Sequence, residues 1–182
     1  LQDYAMARMG EESAAAAVLD VHTGEVLTLA STPAYDPNSF TTGISSTEWK
    51  SLIEHPRFPL TNKVISGQYP PGSTFKMIVA LAALESGELT PQNSFFCPGH
   101  LTLGDTKFHC WRRGGHGRVD MELALEKSCD VYFYEAAKRV GIERIGEMAR
   151  RFGFGSPVGI ELPGEKGGLV PSNEWKKKQH GV

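Results

Sequence analysis

The most restrictive feature of the sequence is the tetrapeptide Ser-Thr-Phe-Lys at positions 73–76, which leads directly into the apolar run 77–84. This run predicts a helix that begins near Ser73 and ends at Gly87. Lys76 then lies in the first turn, where the positive end of the helix dipole and the apolar neighbours both disfavour its ammonium form. Residues three apart share a helix face, so the pattern predicts a hydroxyl nucleophile beside its base. Alternatively, Ser73 is only the N-cap of the helix.

Composition limits the classes of protein to which the chain can belong. With 182 residues, 40% of them hydrophobic, it is long enough for one soluble domain with a sizeable core. The formal net charge of -2 argues against nucleic acid as a partner, and the basic run 176–178 is expected to be a solvated patch. No apolar stretch approaches the ~20 residues that cross a bilayer. Because the chain opens on Leu1, we expect it to be a piece of a longer protein.

Patterning along the chain predicts an α+β fold in four successive segments. A β-hairpin of small and β-branched residues is expected within 1–31, followed by a proline-containing irregular connection over 32–72. A helical region that carries the chemically interesting motifs is expected over 73–158, and a glycine-rich return segment over 159–182. One hairpin is only marginally stable by itself, so the predicted sheet is incomplete.

A second short motif indicates the family to which the chain is similar. Ser128-Cys129-Asp130 lies between two predicted helices, and with Ser73-x-x-Lys76 it resembles the active-site layout of penicillin-binding proteins and serine β-lactamases. The stretches 30–38, 67–73 and 159–165 narrow this resemblance further. Together they resemble the N-terminal half of the transpeptidase domain of class B penicillin-binding proteins, most closely the elongation-type penicillin-binding protein 2 group. The resemblance implies a transpeptidase fold that is truncated before the rest of its sheet.

The resemblance also implies a reaction and a role for each residue. Ser73 would attack a D-Ala-D-Ala stem peptide of peptidoglycan, or a β-lactam, and form an acyl-enzyme that a neighbouring strand's amine resolves. Lys76 would take the Ser73 proton, and Ser128 would pass a proton to the leaving group. Asp130 would position Lys76 or the substrate amide. The implied partners are peptidoglycan stem peptides, β-lactams, a cell-elongation glycosyltransferase and scaffold proteins, without nucleic acid.

Two departures from the family pattern affect these roles. The family's second motif usually ends in Asn, so Asp130 replaces an amide donor with an acceptor. The Lys-Thr-Gly motif, which would supply one oxyanion-hole donor, does not occur in the sequence. We therefore expect this chain alone to be an impaired catalyst. The implied location is the periplasmic face of the bacterial inner membrane, through an N-terminal anchor outside this chain.

Three cysteines and a histidine form a further candidate site. Cys97, Cys110, His116 and Cys129 together make a closed Zn²⁺ ligand set within a glycine-rich segment that has few apolar residues. Two alternatives stay open: a Cys97–Cys110 disulfide, and free thiols. His100 and His109 are alternative ligands.

Three alternatives for the function also stay open. A serine β-lactamase would use the same nucleophile with a deacylating water. A β-lactam sensor, which is a binding module, would be acylated without turnover. In the third alternative the chain has only a structural use.

Overall fold

A computed structural model describes residues 1–181, and these residues form two units. One unit combines Leu1–Tyr69 with Gly159–Lys166. The other begins at Pro70, runs to Val158 and resumes at Gly167. The segment expected over 159–182 is divided between these two units.

The first unit contains a β-hairpin and four helices. Its elements, in chain order, are α1 (Gln2–Met9), β1 (Ala14–Leu19), β2 (Val26–Thr32), α2 (Asn38–Thr41), α3 (Ser46–Ile53) and α4 (Lys63–Ser66). The expected hairpin is present, with Ala14 paired to Thr32 and Val18 to Thr28. The expected irregular connection over 32–72 contains α2, α3 and α4, whose short length explains why no sustained period appears in the sequence.

One outer edge of the hairpin is covered by a side chain. The amide of Gln2 accepts a hydrogen bond of 2.8 Å from the Leu29 main-chain N–H and donates one of 3.1 Å to the Leu29 carbonyl. The side chain therefore satisfies the same groups that a neighbouring strand would pair with. This contact attaches α1 to β2.

The second unit carries both candidate sites. Its elements are a 3₁₀ turn (Gly72–Phe75), α5 (Lys76–Glu85), β3 (Phe95–Cys97), β4 (His100–Leu103), β5 (Thr106–His109), β6 (Gly117–Val119), α6 (Met121–Glu126), α7 (Asp130–Val140), α8 (Ile142–Arg151) and α9 (Asn173–His180). Strand β3 pairs with β6 and β4 with β5, both antiparallel. The region 73–158, expected to be helical, therefore also contains four short strands. Three or four residues are too few for period-2 alternation to be recognised in a sequence.

Helices α5, α7 and α8 build the core of the second unit. Small side chains lie where these helices meet, since Ala83, Ala136 and Ala149 are all completely buried. Small residues let helix backbones approach closely, and Tyr132, also fully buried, fills space beside them. This packing places the first residue of α5, Lys76, near the first residue of α7, Asp130. Among the described residues, no helix has the length and apolar character that a membrane span requires.

Candidate active site and cysteine cluster

Ser73 lies in the 3₁₀ turn that precedes α5. Its side chain makes no N-cap hydrogen bond to this turn, so Ser73 does not act as an N-cap in the structure. Thr74 instead donates a hydrogen bond of 2.7 Å to the Pro71 carbonyl. The Ser73 hydroxyl, on an exposed residue, faces Ser128, and their oxygens lie 3.0 Å apart.

Ser128 occupies a conformation that usually belongs to glycine. It follows α6 with a φ of +50°, and the next residue, Cys129, donates a hydrogen bond of 2.8 Å to the Ala124 carbonyl. Ser128 N–H donates one of 3.1 Å to the Leu125 carbonyl. This pair of bonds is a Schellman motif, in which the left-handed position favours Gly. Serine at this position is unfavourable for the backbone but presents a hydroxyl to Ser73.

Lys76 connects Ser128 to Asp130. Its Nζ donates hydrogen bonds to the Ser128 carbonyl (2.8 Å), the Ser128 hydroxyl (3.0 Å) and Asp130 Oδ1 (2.6 Å). The Lys76 side chain is 12% exposed and that of Asp130 21% exposed, so water screens the ion pair only partly.

Both oxygens of the Asp130 carboxylate accept hydrogen bonds from the protein. Oδ1 accepts from Lys76, and Oδ2 accepts from the main-chain N–H of Trp111 at 2.9 Å. Burial raises the pKa of Asp130, but the hydrogen bonds from Lys76 and Trp111 and the charge of Lys76 outweigh it, so the pKa lies below its ordinary value. Both donors match a carboxylate better than an amide, which gives a physical reason for Asp at this position.

The four residues singled out in the sequence as catalytic candidates therefore meet in one place. A continuous path of hydrogen bonds runs from Ser73 through Ser128 to Lys76 and Asp130. Sequence reasoning missed Trp111, which lies in a loop without periodicity and whose contact is made by its main chain. An arrangement of this kind can ionise a serine hydroxyl for nucleophilic attack.

The four candidate metal ligands also meet. The ligand atoms of Cys97, Cys110, His116 and Cys129 all lie within 4.8 Å of one another. The Nδ1 of His116 lies 3.7 Å from Cys97 Sγ and 3.5 Å from Cys110 Sγ. Tetrahedral Zn²⁺ with ordinary bond lengths holds S and N about 3.6 Å apart, so these distances fit a Cys₃His site.

The other cysteine and histidine alternatives are placed differently. All three thiols are free, so the Cys97–Cys110 disulfide is not formed in the structure. His100 and His109 form a cross-strand pair in the β4–β5 hairpin, with ring centroids 6.0 Å apart, and do not belong to the cluster.

Two glycines allow the loops of the cluster to approach each other. Gly99 has a φ of +98°, and a Cβ there would lie 2.1 Å from the Arg113 carbonyl oxygen. Gly115 has a φ of +76°, and a Cβ there would lie 2.1 Å from the Cys97 carbonyl oxygen. Any larger residue would force the backbones apart, so these glycines are needed for the observed separation of Cys97 and His116.

Burial shapes the protonation of the cluster. Burial raises the pKa of Cys129 to about 12. Burial and the nearby positive charge of Arg112 both lower the pKa of His116. Burial also raises the pKa of Cys97, but main-chain N–H groups of His116 and Gly99 outweigh it and lower the pKa overall. A neutral His116 is the form that binds metal, whereas Cys129 must lose a proton to do so.

The cluster is directly connected to the candidate active site. Cys129 lies between Ser128 and Asp130, and Cys110 precedes Trp111, whose N–H contacts Asp130. Both partners of the Trp111–Asp130 hydrogen bond are therefore chain neighbours of cluster cysteines.

Comparison with known proteins defines the class to which this fold and site belong. A family model described as the penicillin binding protein transpeptidase domain matches residues 14–181. The chain therefore belongs to the family of penicillin-binding protein transpeptidase domains.

Within this family, the chain is similar to several individual proteins of known name or structure. The chain is 43% identical to peptidoglycan D,D-transpeptidase MrdA of Salmonella typhimurium over 99% of its own length and 29% of that protein. It is 42% identical to penicillin-binding protein 2 of Pseudomonas aeruginosa, solved in complex with WCK 5153, with a TM-score of 0.90 over 97% of this chain and 39% of that one. Penicillin-binding protein 2 of Helicobacter pylori, solved in a complex with MreC, has 36% identity and a TM-score of 0.93 over 99% of this chain and 34% of that one.

Proposed function

We propose that this chain is the serine-bearing part of a peptidoglycan D,D-transpeptidase of the penicillin-binding protein 2 group. The observation that carries the proposal is the path of hydrogen bonds from the Ser73 hydroxyl through Ser128 to Lys76 and Asp130. The chain spans 29% of the length of the MrdA protein that it matches, so the activity belongs to the longer protein.

In the first step Ser73 forms an ester with the substrate. Its Oγ attacks the carbonyl of the penultimate D-Ala, the peptide bond to the terminal D-Ala breaks, and free D-Ala leaves. The Ser73 proton passes to the Ser128 hydroxyl while the Ser128 proton passes to Lys76. For this step Lys76 must be neutral: two N–H groups then donate to the Ser128 carbonyl and the Asp130 carboxylate, and the 3.0 Å contact with the Ser128 hydroxyl reverses direction, so that the hydroxyl donates to the Nζ lone pair.

Asp130 stabilises the ammonium that forms on Lys76 when it accepts the proton. Ser128 then passes a proton to the departing amine of D-Ala and takes one back from Lys76, which becomes neutral again. In the second step the amino group of a neighbouring stem peptide attacks the ester, Ser73 recovers its proton, and a cross-link forms. Ser73 N–H supplies one oxyanion-hole donor, and the second would come from a Lys-Thr-Gly strand outside this chain.

A β-lactam would acylate the same oxygen. Ser73 Oγ attacks the ring carbonyl and the ring C–N bond opens, so the leaving nitrogen stays attached to the adduct. Mass spectrometry of the full-length protein after incubation with benzylpenicillin is expected to locate the adduct on the peptide that contains Ser73. An adduct that survives the Ser73→Ala substitution would exclude Ser73 as the nucleophile.

The same preparation distinguishes the alternative functions. Release of D-Ala from a D-Ala-D-Ala stem peptide, with a cross-linked product, indicates a transpeptidase. Rapid hydrolysis of benzylpenicillin indicates a β-lactamase. A stable adduct without either turnover indicates a β-lactam sensor.

We further propose that Cys97, Cys110, His116 and Cys129 bind one structural Zn²⁺. The support is the Cys₃His ligand set, its sulfur–nitrogen distances of 3.5 and 3.7 Å, and the fully buried cysteines. The metal would hold the loops that carry Trp111 and Asp130 together and would take no part in the chemistry.

The proposed surroundings follow from the substrate. Peptidoglycan is cross-linked outside the bacterial inner membrane, so we place the site on the periplasmic face, attached through an anchor outside this chain. The proposed partners are a cell-elongation glycosyltransferase and scaffold proteins. Penicillin-binding protein 2 of Helicobacter pylori has been solved in a complex with MreC, which supports the proposal of a protein partner.

A further inference from the structure

Both N–H groups of Trp111 donate hydrogen bonds to the segment 127–130, which contains Ser128, although the Trp111 side chain is largely exposed. Its main-chain N–H donates a hydrogen bond of 2.9 Å to Asp130 Oδ2, and its indole Nε1–H donates one of 3.0 Å to the Lys127 carbonyl. The indole also packs edge-on against His116, with ring centroids 5.3 Å apart. Because Trp111 is 64% exposed, packing into the core does not explain these contacts.

The Lys127 carbonyl belongs to the peptide unit that leads into Ser128. Lys127 is the C-cap of α6, where carbonyl groups lack intrahelical partners. The N–H of the same peptide unit, which belongs to Ser128, donates to the Leu125 carbonyl at 3.1 Å. Both polar groups of this peptide unit are therefore hydrogen-bonded, one by the helix and one by Trp111, so the unit resists rotation.

This restraint acts where the backbone is strained. Ser128 has a φ of +50°, a conformation that costs a residue with a Cβ free energy and persists only when surrounding contacts maintain it. Rotation of the 127–128 peptide unit would turn the Ser128 hydroxyl away from Ser73. It would also move the Ser128 carbonyl that accepts from Lys76.

We propose that Trp111 is a positioning residue for acyl transfer. Its hydrogen bonds to the Lys127 carbonyl and to Asp130 Oδ2 would hold the Ser128 hydroxyl between Ser73 and Lys76. This inference rests on the proposed function, because Trp111 would act only through Ser128 and Asp130, whose catalytic roles are part of that proposal. Trp111 contacts neither of the reacting atoms and acts through these two residues.

The test removes one N–H group and retains the shape of the ring. In the full-length protein, Trp111 is replaced with the isostere benzothienylalanine, in which sulfur stands in place of the indole N–H. Trp111→Phe is a second variant made from natural amino acids. The matched control is the same isostere at Trp49, which packs against Phe40 in the first unit.

Acylation by a fluorescent penicillin is then resolved into the dissociation constant of the first complex and the rate constant of ester formation. Loss of one hydrogen bond is expected to lower the rate constant at position 111 on the order of three- to tenfold. We expect an unchanged dissociation constant, an unchanged melting temperature and an unchanged metal content, because the ring still packs on His116. The Trp49 variant is expected to match the wild type.

Each other outcome has a definite meaning. A wild-type rate constant in both position-111 variants overturns the role of Trp111. So does a loss that is fully accounted for by weaker binding, lower melting temperature or lost metal, since these would report a structural residue. Failure of the wild-type protein to be acylated at Ser73 overturns the proposed function itself, and it is measured first.

Discussion

The hydroxyl oxygens of Ser73 and Ser128 lie 3.0 Å apart, although the two residues are 55 positions apart in the chain. Ser128 also lies 3.0 Å from the amine of Lys76. A proton that leaves Ser73 therefore meets a hydroxyl before it meets the amine. We therefore propose that acylation depends on Ser128 together with Lys76.

Substitution of Lys76 with arginine is expected to abolish acylation although it keeps the positive charge. Arginine cannot become neutral near pH 7, so the lone pair that faces Ser128 is lost. General-base catalysis contributes roughly 10²–10⁴-fold, and we expect the acylation rate to fall by at least ~100-fold. Labelling with fluorescent penicillin measures this rate. Lys138→Arg, on an exposed lysine of α7, is the control, and near-normal labelling of Lys76→Arg would show that another group takes the proton.

Two substitutions of Ser128 are expected to separate stability from chemistry. Ser128→Ala and Ser128→Gly both remove the hydroxyl, and both should slow acylation strongly. Glycine accepts the φ of +50° without a Cβ, so Ser128→Gly should be about 1 kcal/mol more stable than Ser128→Ala. Thermal melting compares the two variants. Equal stability would mean that the backbone relaxes when the side chain is shortened.

Asp130→Asn is expected to impair this protein although Asn is usual in the motif of the family. An asparagine side chain would turn an NH₂ group toward either Lys76 or the Trp111 N–H, where both neighbours are donors. A buried donor left without an acceptor costs about 1–3 kcal/mol, and the acylation rate should fall together with the stability. Wild-type acylation and stability in Asp130→Asn would mean that the loop around Trp111 adjusts to an amide.

The contribution of Asp130 to stability should depend on pH in one direction. Its pKa is lower in the folded protein than its ordinary value, so the folded state favours the carboxylate. The stabilisation is present at pH values above the ordinary carboxyl pKa, and it is lost as the pH falls through the lowered pKa. The difference in melting temperature between wild type and Asp130→Asn should therefore be constant above about pH 5 and shrink in more acidic buffer. A difference that grows on acidification would contradict this sign.

Metal removal is expected to destabilise the second unit and to slow acylation. Protein purified without added zinc should contain close to one equivalent, and a chelator should lower the melting temperature because ligation belongs to the folded state. His116→Ala should lose the metal, whereas His100→Ala, at a histidine outside the cluster, should retain it. Metal-free wild-type protein with full stability would favour the free-thiol alternative.

The sequence by itself determined the parts of the structure that depend on local patterns. Helices α5, α7 and α8 were predictable from their apolar spacing and from the glycines that follow them, and the β1–β2 hairpin from its composition. The residue types at positions 73, 76, 128 and 130, together with the stretches 30–38, 67–73 and 159–165, were enough to indicate the family. The four metal candidates were also recognisable, because Cys and His offer ligand atoms wherever they occur.

Only the tertiary structure decided how these residues meet. The packing of α5 against α7 brings Lys76 to Asp130, and the left-handed turn at Ser128 directs its hydroxyl to Ser73. The role of Trp111 depends on a main-chain N–H, which every residue except proline carries and which therefore leaves no signal in a sequence. The sequence singled out His116 and kept His100 and His109 as alternatives, but only the close approach of two glycine loops shows that His116 is the histidine that meets the cysteines. Such contacts join distant positions, and their distances follow from how helices and loops pack rather than from any local pattern.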